Sequence, residues 1–474
     1  MNDIWRDLLN NRAEATLAID LVLTVGVTIH ILLRKREVVS AVGWIGLVWF
    51  SPILGAAIYL LFGVNRVKRR ARLFRAQDGD GDSPSVRPAS GVGGDLAPLG
   101  RGIGRITARP LLAGTVVREY HNGDEAYPPM LAAIAAANSS IGMSSYIFRD
   151  DLWGGRFVQA LANAKARGVA VRVLIDGIGG GWLLSPAYHR LRRRGVTAER
   201  FMHSLLPWRM PFLNLRSHKK VLVVDGVVGF TGGMNIADEN VMATRPKRPV
   251  RDLHFQIEGP VVFQLAEAFA QDWALATSEE LERDAWSPEI DPRCGALARV
   301  IDSGPDEDVE KVEFAVLQAV SCARASIAVM TPYFLPDERL ITALSLAAMR
   351  GVAIDLVVPE KSDHILVDWA TRANSRPLLS EGVRVWLSPP PFHHDKIVVV
   401  DNEWCLIGSC NWDIRSFRLN FELCMEVYDS DLATRLTAVM KYARASELTL
   451  ADLDARPLAI RLRDAGARLM LPYL

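Results

Sequence analysis

The stretch SHKKVLVVDGVVGFTGGMN, beginning at Ser217, returns as HHDKIVVVDNEWCLIGSCN, beginning at His393. Both spell His, one residue, Lys, four residues, Asp, six residues, Gly, a small residue, one residue, Asn. Nothing else constrains the fold as strongly, because each copy brings its neighbours with it. ARGVAVRVLID in the first half matches MRGVAIDLVVP in the second. Around them the periodicity predicts a strand (SSIGMSSYIF, ASIAVMTPYF), a helix (GRFVQALANAKARG, ERLITALSLAAMRG) and a second strand, in the same order each time. The chain therefore writes one α/β unit twice, and each unit carries half of something.

The spacing says what each half offers. His218 and Lys220 are two residues apart on an expected strand, as are His394 and Lys396, so each pair projects from one sheet face. Asp225-Gly226 and Asp401-Asn402-Glu403 lie between apolar runs and suit tight hairpins; at odd spacing from the histidines, Asp225 and Asp401 point elsewhere and read as structural. Gly233 or Ser409 and then Asn235 or Asn411 follow at the next strand end, where backbone and amide donors can approach an oxyanion. Two His, two Lys and two Asn around a pseudo-twofold axis suit a phosphodiester: ammonium and amide groups stabilise charge on oxygen, one imidazole attacks phosphorus, the other protonates the leaving oxygen. Neither half can do both jobs.

The N-terminus reads as membrane. Residues 15–33 and 38–62 are two apolar stretches, each long enough as a helix to cross a hydrocarbon layer of roughly 30 Å, with RKRE between them. A transmembrane helical hairpin is expected, although Asp20 and His30 are costly in lipid. Arg6 and Arg12 precede the spans, and Arg66, Lys68, Arg69, Arg70, Arg72 and Arg75 follow them, which places both the N-terminus and the body on the cytoplasmic side. The basic flank also suits an anionic lipid surface. These considerations give a membrane anchor over 1–75, a flexible Gly/Pro/Ser/Asp-rich tether over 76–100, and two halves over 101–295 and 296–474. The net charge of +1 hides these local blocks, and five cysteines without zinc-site spacing argue against a disulfide framework or a structural metal.

The two motifs resemble those of the phospholipase D superfamily, and the likeness extends to its bacterial cardiolipin synthases. It is carried by WIGLVWFSPILGAAIYLLFGVNR in the anchor, YIFRDDLWGGRF and GGMNIADE in the first half, and TPYFLPDERLITAL, VVPEKSDH and GSCNWDIRSFRLNFE in the second. The resemblance implies two tandem phospholipase D-like α-β-α sandwich halves forming one pseudo-twofold catalytic unit, with Asp225 and Asp401 part of the family's catalytic motif. It further implies His218 as the nucleophile, His394 as the acid and later base, and Lys220, Lys396, Asn235 and Asn411, with Gly233 and Ser409, as the phosphate-holding set. Asp252 and Glu422 would orient the histidines from behind. The implied reaction joins two phosphatidylglycerols into cardiolipin and glycerol, with no cofactor and no metal. Anionic membrane lipids, not nucleic acid, would be the partners.

Water as acceptor gives a phospholipase or nuclease, phosphatidylethanolamine as acceptor gives a different transferase, and a dead site gives a membrane scaffold. The apolar HSLLPWRMPFLNLR segment, 203–216, is the candidate docking surface. Asp395, between His394 and Lys396, is acidic where a small neutral residue is expected, and it should face away from the site.

Overall fold

The computed structural model describes residues 2–34, 38–63, 91–203, 215–281, 286, 295–305 and 309–469. It divides into two units, Met1–Arg70 with Ser204–Asn214, and Ala71–His203 with Leu215–Leu474.

In the first unit, one helix runs Asn2–Arg34, and its Thr16–Arg34 portion is apolar over 19 residues. The second apolar stretch is not one helix. It forms Val38–Phe50, breaks, and resumes as Pro52–Ile58, ending in a wider π-type turn, Tyr59–Gly63. Pro52 is the reason: its ring drives the preceding residue out of the helical region, and Ser51 sits at φ −148°, ψ 86°. Gly55 then allows the resumed helix to fold close, since a Cβ there would lie 2.6 Å from the Leu47 carbonyl oxygen. Among the described residues only the first helix is by itself long and apolar enough to span. His30, costly in lipid, is satisfied through Nδ1 by the Tyr59 hydroxyl at 2.8 Å.

The second unit contains both halves. The first half supplies β1 (Leu112–His121), β2 (Ser140–Ser145), β3 (Ala170–Asp176), β4 (Thr197–Phe201), β5 (Arg216–Ser217), β6 (Val221–Val224), β7 (Val228–Gly232), β8 (Val250–Arg251) and β9 (Leu253–Glu258). The second supplies β10 (Ala296–Ser303), β11 (Ser326–Met330), β12 (Phe334–Leu335), β13 (Ala353–Pro359), β14 (Arg384–Ser388), β15 (Phe392–His393), β16 (Ile397–Val400), β17 (Trp404–Gly408), β18 (Trp412–Asp413), β19 (Asn420–Tyr428) and β20 (Ser446–Leu448). Reading outward from the centre, the first half runs β1-β9-β7-β6-β2-β3-β4 and the second β10-β19-β17-β16-β11-β13-β14. These are the same positions in the same order, joined where β1 pairs antiparallel with β10. The duplicated sequence has produced a duplicated topology.

Each half connects its paired parallel strands, β2 to β3 or β11 to β13, through a crossover helix, Leu152–Ala166 or Glu338–Met349, started by a side-chain cap from Asp151 or Asp337. The hairpin turns are as the sequence predicts: Asp225 and Gly226 have φ of 52° and 66°, Asp401 and Asn402 of 54° and 52°, the left-handed pairs that match strand twist. One face of the sheet is covered by helices Val262–Thr277 and Ser430–Tyr442, over a core shared by the halves: Ile257, Leu265, Val300, Leu423, Met425 and Leu436 are all buried. At about 1.5–3 kcal/mol for each large aliphatic side chain, this shared core ties the halves into one body.

The tether expected over 76–100 lies outside the described residues up to 90. Its last part is already folded, contrary to that expectation. Gly94–Leu96 and then Ala97–Thr107 are helical, and Leu96, Leu99 and Ile103 are buried. Three apolar residues at helical spacing suffice, although the composition around them is that of a linker. Arg299 fastens this helix by donating to the carbonyls of Gly100 at 2.9 Å and Arg109 at 3.0 Å. The expected docking segment lies outside the described residues over 204–214.

Candidate active site

The residues leading into each histidine pair with the opposite half. β5 lies parallel to β19, placing Ser217 opposite Phe421, and β15 lies parallel to β8, placing His393 opposite Arg251. The backbone then continues the exchange: His218 N–H donates to the Phe421 carbonyl at 2.9 Å, and His394 N–H to that of Arg251 at 2.7 Å. Residues 218–220 and 394–396 therefore lie between strands rather than within one. The lysines still reach back, Lys220 Nζ donating to the His218 carbonyl at 2.7 Å and Lys396 Nζ lying 2.9 Å from His394 Nδ1.

The two imidazoles face each other with ring centroids 6.4 Å apart and planes at 80°. One phosphoryl group can touch both. Behind each ring stands a carboxylate, and the wiring is crossed. His218 Nδ1 lies 3.1 Å from Glu422 Oε2 and 3.0 Å from the Ser409 carbonyl, both from the second half. His394 Nδ1 lies 2.8 Å from Asp252 Oδ2, from the first half. An Nδ1–H directed at an acceptor leaves Nε2 to face the substrate.

The carboxylates are themselves held. Ser409 Oγ donates to Glu422 at 2.6 Å and Asn420 Nδ2 at 3.1 Å, while Leu253 N–H donates to Asp252 at 2.9 Å. The Gly233/Ser409 difference follows from these pairings. A Cβ at Gly233 would lie 2.3 Å from Asp252 Oδ1, so the half with the shorter acid needs glycine there, and the half with glutamate accommodates serine.

Asn235 is anchored by Ile147 N–H donating to its Oδ1 at 3.2 Å, which leaves the NH₂ end of its carboxamide for an anion. Asn411 is buried at the matching place, and its Oδ1 has no hydrogen-bond partner among the described residues.

Asp225 and Asp401 are not part of this group. Asp225 accepts backbone N–H bonds from Asn138, Ser139 and Ser140 at 2.8–2.9 Å, and Asp401 from Arg324, Ala325 and Ser326 at 2.7–2.9 Å. Each pins its hairpin to the start of the neighbouring strand. Asp225→Ala is therefore expected to cost about 1–3 kcal/mol of stability. Thermal unfolding with turnover per folded molecule checks it: the melting temperature falls while kcat holds. Asp395 is buried and lies 3.0 Å from His393 Nδ1, just as Lys219 at the matching position pairs with Asp272 at 2.9 Å, and its charge still acts on Lys396 and Asp252.

Two tyrosines complete the walls and were not singled out from the sequence. The Tyr146 ring stands edge-on to His218 at 5.1 Å, and the Tyr333 ring edge-on to His394 at 6.5 Å. They occupy the same place in the duplicated frame, in SSYIF and TPYFL, and that coincidence was the available signal.

Burial sets the electrostatics. It lowers the pKa of both histidines well below the usual value, reinforced by the ammonium groups of Lys220 and Lys396. It also lowers Lys220 to about 7, with Lys396 adding repulsion, and raises Glu422 to about 7. Asp252 is pushed well above the ordinary carboxylate range by the same cause. Burial thus opposes the charged form of each of these groups, and an anion beside the lysines would favour their ammonium forms. No cluster of three or more His, Cys, Asp or Glu positioned for a metal occurs among the described residues.

Comparison with known proteins shows the family. The family described as cardiolipin synthase, PLD-like domain, matches residues 130–273 and again 316–443, and a phospholipase D-nuclease N-terminal family matches 22–63. Cardiolipin synthase A of Pseudomonas aeruginosa is 35% identical over 94% of this chain and 93% of its own length. A cardiolipin synthase of Geobacillus kaustophilus is 33% identical over 94% of this chain and 91% of its own. Among solved structures, the phosphatidylserine synthase of Haemophilus influenzae superposes with a TM-score of 0.59 at 14% identity, covering 79% of this chain and 99% of that one, a likeness of fold. With the family model matched in both halves and relatives alike over nearly their whole length, the chain belongs to the bacterial cardiolipin synthases of the phospholipase D superfamily and is an enzyme.

Proposed function

We propose that the two halves act as one pseudo-twofold catalytic unit that transfers the phosphatidyl group of one phosphatidylglycerol to a second, giving cardiolipin and glycerol. The observation that carries this reading is the crossed pair of histidines, each backed by the other half's carboxylate. His218 Nε2 attacks phosphorus as the P–O bond to glycerol breaks, and His394 gives the departing oxygen its proton. The second lipid's hydroxyl then loses its proton to His394 and attacks the phosphohistidine, and the P–N bond breaks. Lys220, Lys396, Asn235 and Asn411 hold the phosphoryl oxygens. Asp252, 2.8 Å from His394 Nδ1, accepts that ring's N–H and stabilises the imidazolium that gives up its Nε2 proton, which suits His394 to the acid role.

One phosphodiester replaces another, so no external energy source is needed. The apolar N-terminal helix would anchor the chain, and the basic run over 66–75 favours the cytoplasmic side of the bacterial cell membrane for the catalytic body.

Mass-spectrometric analysis of products formed from phosphatidylglycerol vesicles by the full-length protein tests the reading. Cardiolipin and glycerol in equal amounts are expected. Phosphatidic acid as the main product would make the enzyme a hydrolase, and a product formed only when phosphatidylethanolamine is added would change the acceptor.

The pH dependence follows from Lys220. Its pKa is lowered to about 7, so it loses its charge as pH rises through that value, and kcat/KM is expected to fall from there. His218, lowered well below 6.5, stays unprotonated on the acid side of neutrality and keeps its nucleophilic form. Bound phosphodiester stabilises the ammonium, so the alkaline limb of kcat should lie at higher pH than that of kcat/KM. A kcat/KM that stays level from pH 6 to 9 would remove Lys220 from this role.

A further inference from the structure

The catalytic groups sit at one edge of the body, where the facing histidines, with ring centroids 6.4 Å apart, bring the parallel strands of the two halves together at their C-terminal ends. Val221 opposes Ser144 and Ile397 opposes Met330, so the histidine segments lie just beyond the C-terminal ends of β2 and β11. β3 and β13 run parallel to these strands, and the loops that follow them leave from the same edge.

The first of these loops, and the opening turn of the helix Ile365–Ser380 that ends the second, carry bare aliphatic pairs. Leu183 and Leu184 are 64% and 77% exposed, and Ile365 and Leu366 are 61% and 42% exposed. The pairs fall at nearly the same place in the two halves, seven or eight residues beyond Asp176 and six or seven beyond Pro359. Each loop leans on a wall of the active site. A Cβ at Gly179 would lie 2.5 Å from the Tyr146 ring, and the His364 ring is 5.8 Å from that of Tyr333. Beside the second pair, helix Leu458–Arg468 packs Ala467 with Val367 and Tyr333 in one cluster, then ends in exposed Arg468 and in Leu469, 81% exposed.

We propose that this edge is a membrane-docking rim, in which Leu183, Leu184, Ile365, Leu366 and Leu469 enter the interfacial layer of an anionic bilayer around the mouth of the active site. The inference rests on the lipid substrate argued above and deepens it. Exposed large aliphatics beside the mouth of a site in a cardiolipin synthase mark an interaction surface, and the bilayer that holds the phospholipid substrate is its occupant. Exposed Arg468 adjoins Leu469, while beside Ile365 the exposed Lys361 is accompanied by exposed Glu360 and Asp363, so the contact there is apolar rather than electrostatic. The rim also brings a two-chain lipid to the histidines without drawing its acyl chains through water, and it crowds out the competing acceptor.

The test uses the full-length protein reconstituted in phosphatidylglycerol-containing vesicles, carrying a bimane label at Leu184→Cys, Ile365→Cys or Met349→Cys. Labelled wild type serves as the blank for the native cysteines. Met349 is as exposed as Leu183, at 64%, but ends the helix that leads into the N-terminal end of β13, at the opposite edge. Lipid bearing a doxyl quencher near the headgroup should quench positions 184 and 365 at least threefold more than 349. Equal quenching at all three, or protection of 184 and 365 by a second protein copy in detergent with no quenching in vesicles, overturns the proposal.

A second measurement compares turnover of vesicles with turnover of dihexanoyl phosphatidylglycerol below its micellar concentration. Leu184→Asp with Ile365→Asp should lower the ratio about tenfold, and an unchanged ratio counts against the rim. Because quenching is read without turnover, a rim that docks while no cardiolipin forms would sink the proposed reaction and leave the docking surface standing.

Discussion

Replacing His218 by alanine is expected to lower phosphatidyl transfer by at least about 10³–10⁴-fold, and replacing His394 to do the same. The two losses differ in kind, and the leaving group exposes the difference. A phosphatidyl ester of p-nitrophenol departs as a stable anion and needs no acid. With that substrate His394→Ala should regain a burst of p-nitrophenolate equal to the enzyme present, because His218 still attacks. His218→Ala should show no burst with either substrate. A burst retained by His218→Ala and absent from His394→Ala would exchange the two roles, and a burst from both would sink the covalent mechanism.

The carboxylates carry the second large effect. Asp252→Asn and Glu422→Gln keep shape and hydrogen-bonding reach but hold the imidazole in the wrong tautomer, and each is expected to cost about 10²–10⁴-fold in kcat. Here the crossed wiring makes a sharper statement than the magnitude. Asp252 lies in the first half but backs His394, so Asp252→Asn should behave as an acid variant and be rescued by the p-nitrophenyl substrate. Glu422 lies in the second half but backs His218, so Glu422→Gln should resist rescue. If each acid served its own half, the pattern of rescue would be reversed. Circular dichroism of each variant separates this from unfolding, since Glu422 is fully buried and tied to Ser409 and Asn420.

Much of this was legible in the chain. A strict repeat with period-2 apolar runs and Asp-Gly or Asp-Asn punctuation leaves little freedom for local structure, and the strands, helices and left-handed hairpin turns follow it closely. The site's His, Lys and Asn were likewise marked by recurrence. Where local composition was averaged over a window, it misled. Leu96, Leu99 and Ile103 fold a stretch that reads as linker, because three side chains on one helix face meet a core that lies far along the sequence. Pro52 breaks a stretch whose hydropathy alone suggests one span, because a missing N–H and a steric clash act on a single peptide unit. Tyr146 and Tyr333 went unmarked because aromatic residues after a strand are ordinary until a histidine is found against them.

By itself, then, the sequence determined that one α/β unit is built twice, which residues each copy offers, and which aspartates serve the turns. A repeated pattern must repeat its local geometry, even though the His and Lys of each copy lie between strands rather than along one. Only the tertiary structure decided that the histidines face each other at 6.4 Å and that each answers to the opposite half's acid. That choice depends on β1 meeting β10 and on β5 and β15 crossing to pair with β19 and β8. Such pairings join residues distant in sequence through backbone hydrogen bonds that any residue but proline can make, and so the sequence pattern carries no mark of them.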